Sequence, residues 1–285
     1  MMLSLRYQPN LLATYTAAAL CHLLLSAGTC HVLGEATRAK RLYTSDTYKR
    51  LTFGTFLFGF VGLFSIPGEA GINSSFGSSV VGTLLIAQIS KFVTALVSFI
   101  GWEYGSGGFG TRNERAGNII KQIVRGCRNV WKTLPVTEDR PATFYRTFFL
   151  FVMIFNPLCN IPELSFNIRQ GAGLLSLPVS LTISSIARLG LLSVLIYVLK
   201  DAAERDRLEG ATFVKLNMLV GFWATGLGLA QGFGGGEWNV RRASDKLLFA
   251  ILFLNNGIIS QLRKMGLMKK SNDDSEDPPL RVSLL

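Results

Sequence analysis

The chain has 285 residues, of which 49% are hydrophobic and only 16% charged, and its formal net charge is +11. Soluble domains carry about 25% charged residues, so the composition is that of a membrane protein, and the length suits one helical bundle. The net charge does not indicate a nucleic-acid partner, because the basic residues lie between apolar runs, where membrane topology places them. We therefore expect an all-α integral membrane protein.

Seven apolar runs predict a bundle of six to seven transmembrane helices. About 20 residues in a helix cross the hydrocarbon core of a bilayer. The second and seventh runs have 16 residues each, so either could be tilted into place or be re-entrant. The runs are Leu11–Leu33, Leu51–Ile66, Gly77–Trp102, Thr147–Leu164, Leu174–Leu199, Leu216–Phe233 and Leu247–Leu262.

Basic residues divide unequally between the two alternating sets of connecting segments. One set, which includes the C-terminal tail, holds 22, the other holds 5, and the remaining two of the 29 are Lys91 and Arg188. This is the positive-inside pattern of a bundle with its N-terminus outside or lumenal and its C-terminus cytosolic. It predicts an endomembrane or plasma-membrane location, with an organelle membrane as the alternative. The segment between the sixth and seventh runs, with Arg241, Arg242 and Lys246, is the exception to the pattern.

The sequence divides into a polytopic domain over residues 1–270 and a disordered cytosolic-side tail over residues 271–285. Within the domain, Asn118–Leu134 predicts an amphipathic helix with basic side chains on one face and isoleucine, valine and tryptophan side chains on the other. Such a helix lies flat on an anionic leaflet, so anionic lipid is the expected partner. The alternative is packing against the bundle's own loops. The basic face consists of Lys121, Arg125, Arg128 and Lys132.

Two cations, Lys91 and Arg188, lie within apolar runs, each 14 residues from the start of its run. Each costs several kcal/mol at the bilayer centre, and both helices run in the same direction in the predicted topology. Gln88 and Ser184 lie about one turn before them and form polar stripes. We expect these four side chains to line one shared pathway. The alternative for Arg188 is a structural role, with its guanidinium bonded to carbonyls or extended to the interface.

The predicted pathway lacks an internal carboxylate partner. Of the acidic residues, only Glu163 falls within an apolar run, next to its end. Something else must therefore meet the two cations. Backbone carbonyls and water, an anionic solute or lipid headgroup, and a carboxylate from another subunit are the three candidates.

No catalytic constellation is readable, so we predict no enzyme, no cofactor and no metal, with a membrane enzyme of another type as the alternative. The two histidines, His22 and His31, are nine residues apart, which places them on opposite faces of a helix and disfavours joint haem or metal ligation. The four cysteines have no CxxC spacing and indicate neither a metal site nor a disulfide framework.

The stretch LPVSLTISSIAR, Leu177–Arg188, with Leu189 after it, resembles the arginine helix of the rotary ATP synthase a subunit over about 15 of the 285 residues. In that family a membrane arginine faces a carboxylate on the c-ring, and a glutamine follows on the next helix, where this chain has Gln231. The chain departs from the family at Leu192, where asparagine is usual, and a further apolar run follows Gln231. The resemblance implies a proton-path subunit in which Arg188 faces another subunit.

The leading hypothesis is a multi-pass channel or transporter whose pathway favours an anionic solute or lipid headgroup. The alternative is a non-catalytic membrane-shaping or scaffold protein, or a structural subunit of a larger membrane complex, in which the basic helix 118–134 is the working part. A homo-oligomer or other membrane subunits are the expected protein partners. The two hypotheses differ in whether water reaches the buried cations.

Overall fold

The computed structural model describes residues 9–41, 45–66, 78–106, 140–169, 177–233 and 240–267, and positions 118, 121, 124, 125 and 128. Over these residues the fold is all-helical, with seven long helices and no strand, which confirms the all-α part of the predicted fold class. The helices are α1 (Pro9–Arg38), α2 (Asp46–Leu63), α3 (Ser78–Ser106), α4 (Arg140–Arg169), α5 (Leu177–Ala203), α6 (Ala211–Gly232) and α7 (Val240–Lys264).

Most helices extend past the apolar runs that predicted them. α2 begins at Asp46, five residues before its run, and α4 begins at Arg140, seven residues before its run. Arg50 and Arg146 in these extensions pair with Asp201 and Glu204 at the C-terminal end of α5. α4 also continues as a helix through both Pro157 and Pro162.

Two segments among the described residues are long and apolar enough to cross a membrane, Thr182–Ala203 in α5 and Ala211–Gly232 in α6. Gln88–Gly101 and Ala142–Met153 are shorter apolar helices. The predicted count of six to seven spans is therefore not confirmed. The short apolar stretch of α7 illustrates the reason, because it is flanked by Arg241, Arg242 and Lys246 at one end and Arg263 and Lys264 at the other.

The helices pack around α5. α2 lies against α3 and α5, α4 lies against α5, α1 lies against α6, and α6 lies against α7. Every residue from 191 to 200 in α5 is buried, and Leu191, Leu195, Ile196 and Leu199 are fully enclosed. The main apolar core therefore lies around the second half of α5.

α2 approaches both of its neighbours closely at glycines. A Cβ atom on Gly59 would lie 2.5 Å from the backbone nitrogen of Ala95 in α3. A Cβ atom on Gly54 would lie 2.9 Å from Cβ of Val194 in α5. Small residues of this kind permit close helix approach in membrane bundles, and here they bring the polar faces of α3 and α5 near each other.

A belt of ion pairs lies at one end of the bundle and consists of two groups. One group links the C-terminal end of α5 to the N-terminal ends of α2 and α4, and the other links the C-terminal end of α1 to the N-terminal end of α6. These are ends that the sequence predicts on one side of the bundle. The pairs are Arg50–Asp201 (3.3 Å), Arg146–Glu204 (2.7 Å), Lys200–Glu204 (2.8 Å) and Lys215–Glu35 (2.6 Å).

Candidate functional site

α3 exposes its apolar side chains and buries its polar ones. Gln88, Thr94 and Ser98 are buried, while eight large apolar side chains of the same helix are each about half exposed. A surface helix of a soluble protein has the opposite arrangement, with charged and polar groups outward. The exposed set is Leu85, Ile86, Ile89, Phe92, Val93, Leu96, Val97 and Ile100.

The polar face of α3 turns Lys91 toward α2 and α5. The Lys91 ammonium donates hydrogen bonds to Oγ of Ser65, at 2.8 Å, and to Oγ of Ser184, at 3.4 Å. The Ser65 hydroxyl in turn donates to the Gly62 carbonyl at 2.7 Å, so its lone pairs are available to accept from Lys91. Gly62 also leaves room for the lysine stem, because a Cβ there would lie 3.5 Å from Cγ and Cδ of Lys91.

Arg188 lies one helical turn after Ser184 on α5, so the Lys91–Ser184 contact brings the two cations into one region. Lys91 of α3 and the Ser184 and Arg188 residues of α5, which the sequence singles out, are thus brought together. Arg188 is half-buried and has an interaction of its own.

Gln88 and Ser180 extend this cluster by one turn on α3 and α5, in the direction away from the ion-pair belt. Gln88 is 7% exposed and Ser180 is fully buried. The Gln88 amide nitrogen and the Ser180 hydroxyl have no hydrogen-bond partner among the described residues. Buried polar atoms without partners mark a place for water or a ligand.

His22 of α1 is a buried polar residue that sequence reasoning did not place among the site candidates. Its Nδ1 accepts a hydrogen bond from the Trp223 indole of α6 at 2.9 Å, and the two rings are 5.7 Å apart. From the sequence, His22 was considered only together with His31, as a joint ligand pair that their spacing disfavours. The signal that could have found His22 is its spacing from Ser26 and Thr29, which makes one buried polar stripe at i, i+4 and i+7.

The two cations of the cluster, Lys91 and Arg188, can only donate hydrogen bonds. The helical segments 9–33, 47–66, 78–102, 177–200 and 211–233 contain no aspartate or glutamate. Toward the ion-pair belt, the enclosed residues of α5 separate the cluster from Asp201 by about 20 Å.

The predicted membrane-surface residues lie mostly where the structure is described. Lys121, Arg125 and Arg128 are helical and exposed, and Val124 between them is 61% exposed. Lys132 lies outside the described residues, as do the remaining positions of 118–134 and the predicted tail at 271–285.

Comparisons with protein-family models, with curated proteins and with solved structures find no match to this chain. The class of protein is therefore described from the fold and the candidate site alone. Over the described residues it is an all-α bundle in which Lys91 of α3 contacts α5 at Ser184, one turn before Arg188.

Proposed function

We propose that the chain is a multi-pass membrane channel or transporter whose pathway passes Lys91 and Arg188 and favours an anionic solute or lipid headgroup. The observation that carries the proposal is the hydrogen bond from Lys91 to Ser184, which brings the lysine of one helix to within a turn of the arginine of another. The proposed pathway consists of Lys91, Arg188, Gln88 and Ser184.

The reversed polarity of α3 supports the membrane part of the proposal. In water, eight half-exposed apolar side chains on one helix would be a large unfavourable surface, whereas acyl chains solvate them at no such cost. α1 repeats the arrangement, since Leu24 is 65% exposed while His22 and Ser26 are buried. In the proposed bundle of six to seven spans, α1 and α3 both cross the membrane, and the ion-pair belt lies at the cytosolic side.

Charge supports the preference for anions. Two cations held in a region of low dielectric attract a negative charge much more strongly than they would in water. An anion between Lys91 and Arg188 offsets the cost of burying both groups. The unpartnered donor of Gln88 and the hydroxyl of Ser180 supply further hydrogen bonds at the same site.

Thiol labelling tests whether water and anions reach the site. In a background with Cys21, Cys30, Cys127 and Cys159 replaced, Ser184→Cys should react with methanethiosulfonates in liposomes, and an anionic reagent should react at least about tenfold faster than a cationic one. Leu195→Cys, in the enclosed part of α5, is the matched control and should not react. If Ser184→Cys reacts with neither reagent, the proposed pathway is wrong.

A scaffold or membrane-shaping role is the second candidate, and the exposed helical positions Lys121, Arg125 and Arg128 favour it. Each basic residue near an anionic surface contributes about 1 kcal/mol of binding. If this role is the working one, changing all three to glutamine should abolish remodelling of anionic vesicles by the full chain. The same change should leave remodelling intact if the basic residues are only solvated.

The resemblance of Leu177–Leu189 to the ATP synthase arginine helix supplies a third, weaker candidate, a proton-path subunit in which another chain's carboxylate meets Arg188. Co-purification of a second membrane subunit that is lost in Arg188→Leu would favour it over anion transport.

Sidedness is part of the same proposal and has its own test. Cysteines introduced at Asn73 and Ser271, both outside the described residues, should be labelled from opposite sides of the membrane, with Ser271→Cys reacting from the cytosolic side. Labelling of both from the same side would overturn the proposed topology.

A further inference from the structure

We infer that two copies of this chain associate in the membrane through the outward face of α7, with their Asn255 amides paired across a two-fold axis. The inference rests on the membrane part of the proposed function, because it takes acyl chains as the surroundings of α7. It goes beyond that function in naming a surface of the bundle and the partner that covers it.

α7 lies at the edge of the bundle and packs on its neighbours with one side only. Its approach to α6 is close, because a Cβ atom on Gly221 would lie 2.6 Å from Cγ of Leu254. Toward α4, the ring of Phe253 lies 5.1 Å from the ring of Phe148. The opposite side of α7 is exposed along the apolar part of the helix.

Five residues form a line on this opposite side, at successive steps of three, four, three and four residues. We call them the outward line of α7. Two helices with apolar residues at this spacing pack along their whole length at a crossing angle of about 20°. The line extends for about 21 Å, which is nearly the full apolar length of the helix. Its members are Leu248 (56% exposed), Ile251 (64%), Asn255 (exposed), Ile258 (47%) and the half-buried Leu262.

Asn255 is the polar member of the outward line, and it lies near mid-depth of the proposed span. It is the ninth residue of the 16-residue run Leu247–Leu262. The next residue, Asn256, turns inward and donates a hydrogen bond to the Tyr145 hydroxyl at 3.4 Å. The Asn255 amide makes no hydrogen bond within the part of the chain that the structure describes. Among acyl chains, an amide left in this state is costly, because hydrocarbon offers neither donors nor acceptors.

A second copy of the chain satisfies this amide with no other chemistry. A primary amide has both N–H donors and an acceptor oxygen, so two of them can exchange a pair of hydrogen bonds. A two-fold axis along the membrane normal places each residue of the outward line opposite its own equivalent and keeps both copies in the same topology. One asparagine in an otherwise apolar line also fixes the register of the two helices. Asparagine side chains join membrane helices in this way.

Disulfide cross-linking of the full-length chain in liposomes tests the surface. The four native cysteines are replaced, one cysteine is introduced at Ile251 or Ile258, and an oxidant is added. Both variants should form covalent dimers, because the two-fold axis brings each introduced thiol close to its equivalent. Leu24→Cys on α1 is the matched control, since Leu24 is 65% exposed and should give only the yield of random collisions.

Dilution of the chain in lipid tests the role of the amide. Energy transfer between donor-labelled and acceptor-labelled copies gives the dissociation constant. Asn255→Leu removes the amide and keeps a similar volume, so the dissociation constant should rise by about three- to twentyfold. Asn255→Gln keeps an amide and should lie closer to the wild type than Asn255→Leu does.

A bulky side chain tests the same surface without touching the amide. Ile251→Trp should raise the dissociation constant, because the indole separates the two α7 helices. Leu24→Trp, at nearly equal exposure on α1, should leave it unchanged. All these positions are exposed, so the variants should keep the thermal unfolding midpoint of the monomer.

The outcomes separate this inference from the proposed function. A chain that enters the bilayer but stays monomeric, or that associates equally well as Asn255→Leu, overturns the α7 interface and leaves the membrane proposal standing. Equal cross-linking of Leu24→Cys and Ile251→Cys also overturns the interface. If the chain does not enter the bilayer, the membrane part of the proposed function is wrong, and the interface is wrong with it.

Discussion

Lys91 of α3 donates a hydrogen bond across 3.4 Å to Ser184 of α5, one helical turn before Arg188. Two cations from different helices are therefore held in one region of the bundle. α2 mediates this arrangement, because it packs against both helices and provides Ser65 as the second acceptor for Lys91. The spacing between α2 and α3 thus controls where the lysine ammonium lies.

Gly59→Ala should destabilise the bundle, while Gly62→Ala should be tolerated. A methyl group on Gly59 would lie 2.5 Å from the backbone nitrogen of Ala95, so α2 and α3 must separate, at a cost of about 1–3 kcal/mol. A methyl group on Gly62 would make ordinary contact with the Lys91 stem at 3.5 Å. Thermal unfolding of both variants in detergent checks this, and equal midpoints would contradict the close approach of α2 and α3.

Asp201→Asn should cost about 3 kcal/mol, because it removes the carboxylate beside the buried Arg50 guanidinium. Asp201 also meets Arg205 and Arg207, so the substitution leaves several positive charges near one another. Asp46→Asn is the matched control, since its pair with Lys49 is exposed and should contribute about 0.5 kcal/mol or less. Chemical unfolding of the two variants separates the effects, and a cost below about 1 kcal/mol for Asp201→Asn would show that the belt is not a stabilising feature.

Acid should weaken the bundle partly through Glu204. Burial alone would raise the pKa of this carboxyl group, but hydrogen bonds from Lys200 and Arg146 outweigh burial and hold the pKa below its usual value of 4.5. A depressed pKa contributes stability above the unfolded value, and that stability is lost as the pH falls through the folded pKa. The unfolding midpoint of the wild type should therefore fall below about pH 4.5.

Glu204→Gln should reduce the pH dependence of the unfolding midpoint in this range. Glu209→Gln is the control, because it removes a carboxylate of the same end of the bundle that lies 4.0 Å from Arg263. Identical acid profiles for the wild type and Glu204→Gln would show that the contacts of Glu204 with Lys200 and Arg146 do not contribute.

Tyr145→Phe should destabilise the junction of α4, α6 and α7. The fully buried Tyr145 hydroxyl donates to Oδ1 of Asn217 at 2.5 Å and accepts from the Asn256 amide at 3.4 Å. Its removal leaves Asn217 without this donor, at a cost of about 1–3 kcal/mol. Tyr48→Phe, which removes a part-buried bond to Thr212, should cost about 1 kcal/mol. A larger midpoint shift for Tyr48→Phe than for Tyr145→Phe would contradict this ranking.

The sequence predicted the helices well, because each contains a long apolar run with polar residues on either side. It also predicted Lys91 and Arg188 as the chemically costly residues, since a cation within an apolar run is visible without any tertiary information. Lys91 and Arg188 also lie at equal depth on helices that are predicted to run in the same direction, which suggested that they belong to one site. The Lys91–Ser184 contact, which joins residues 93 positions apart, is compatible with that expectation.

The sequence alone could not predict which helices, distant along the chain, pack against each other. His22 and Trp223 are 201 residues apart, and nothing in either local pattern specifies that α1 packs on α6. The ion-pair belt was missed for the same reason, because Arg50, Asp201 and Glu204 appear in the sequence only as ordinary residues of polar connections. The number of membrane spans stays a prediction, because only two segments of the described residues are long and apolar enough to cross a membrane.

The most direct measurement of the central claim is anion flux through the purified chain in liposomes, with wild type, Lys91→Leu, Arg188→Leu and Arg188→Lys compared. Leucine removes the charge together with its burial cost, so both leucine variants should insert and fold at least as well as the wild type. They should lose flux, and Arg188→Lys should retain part of it, because lysine keeps the charge but not the planar two-pronged contact. Unchanged flux in both leucine variants would contradict a pathway through Lys91 and Arg188.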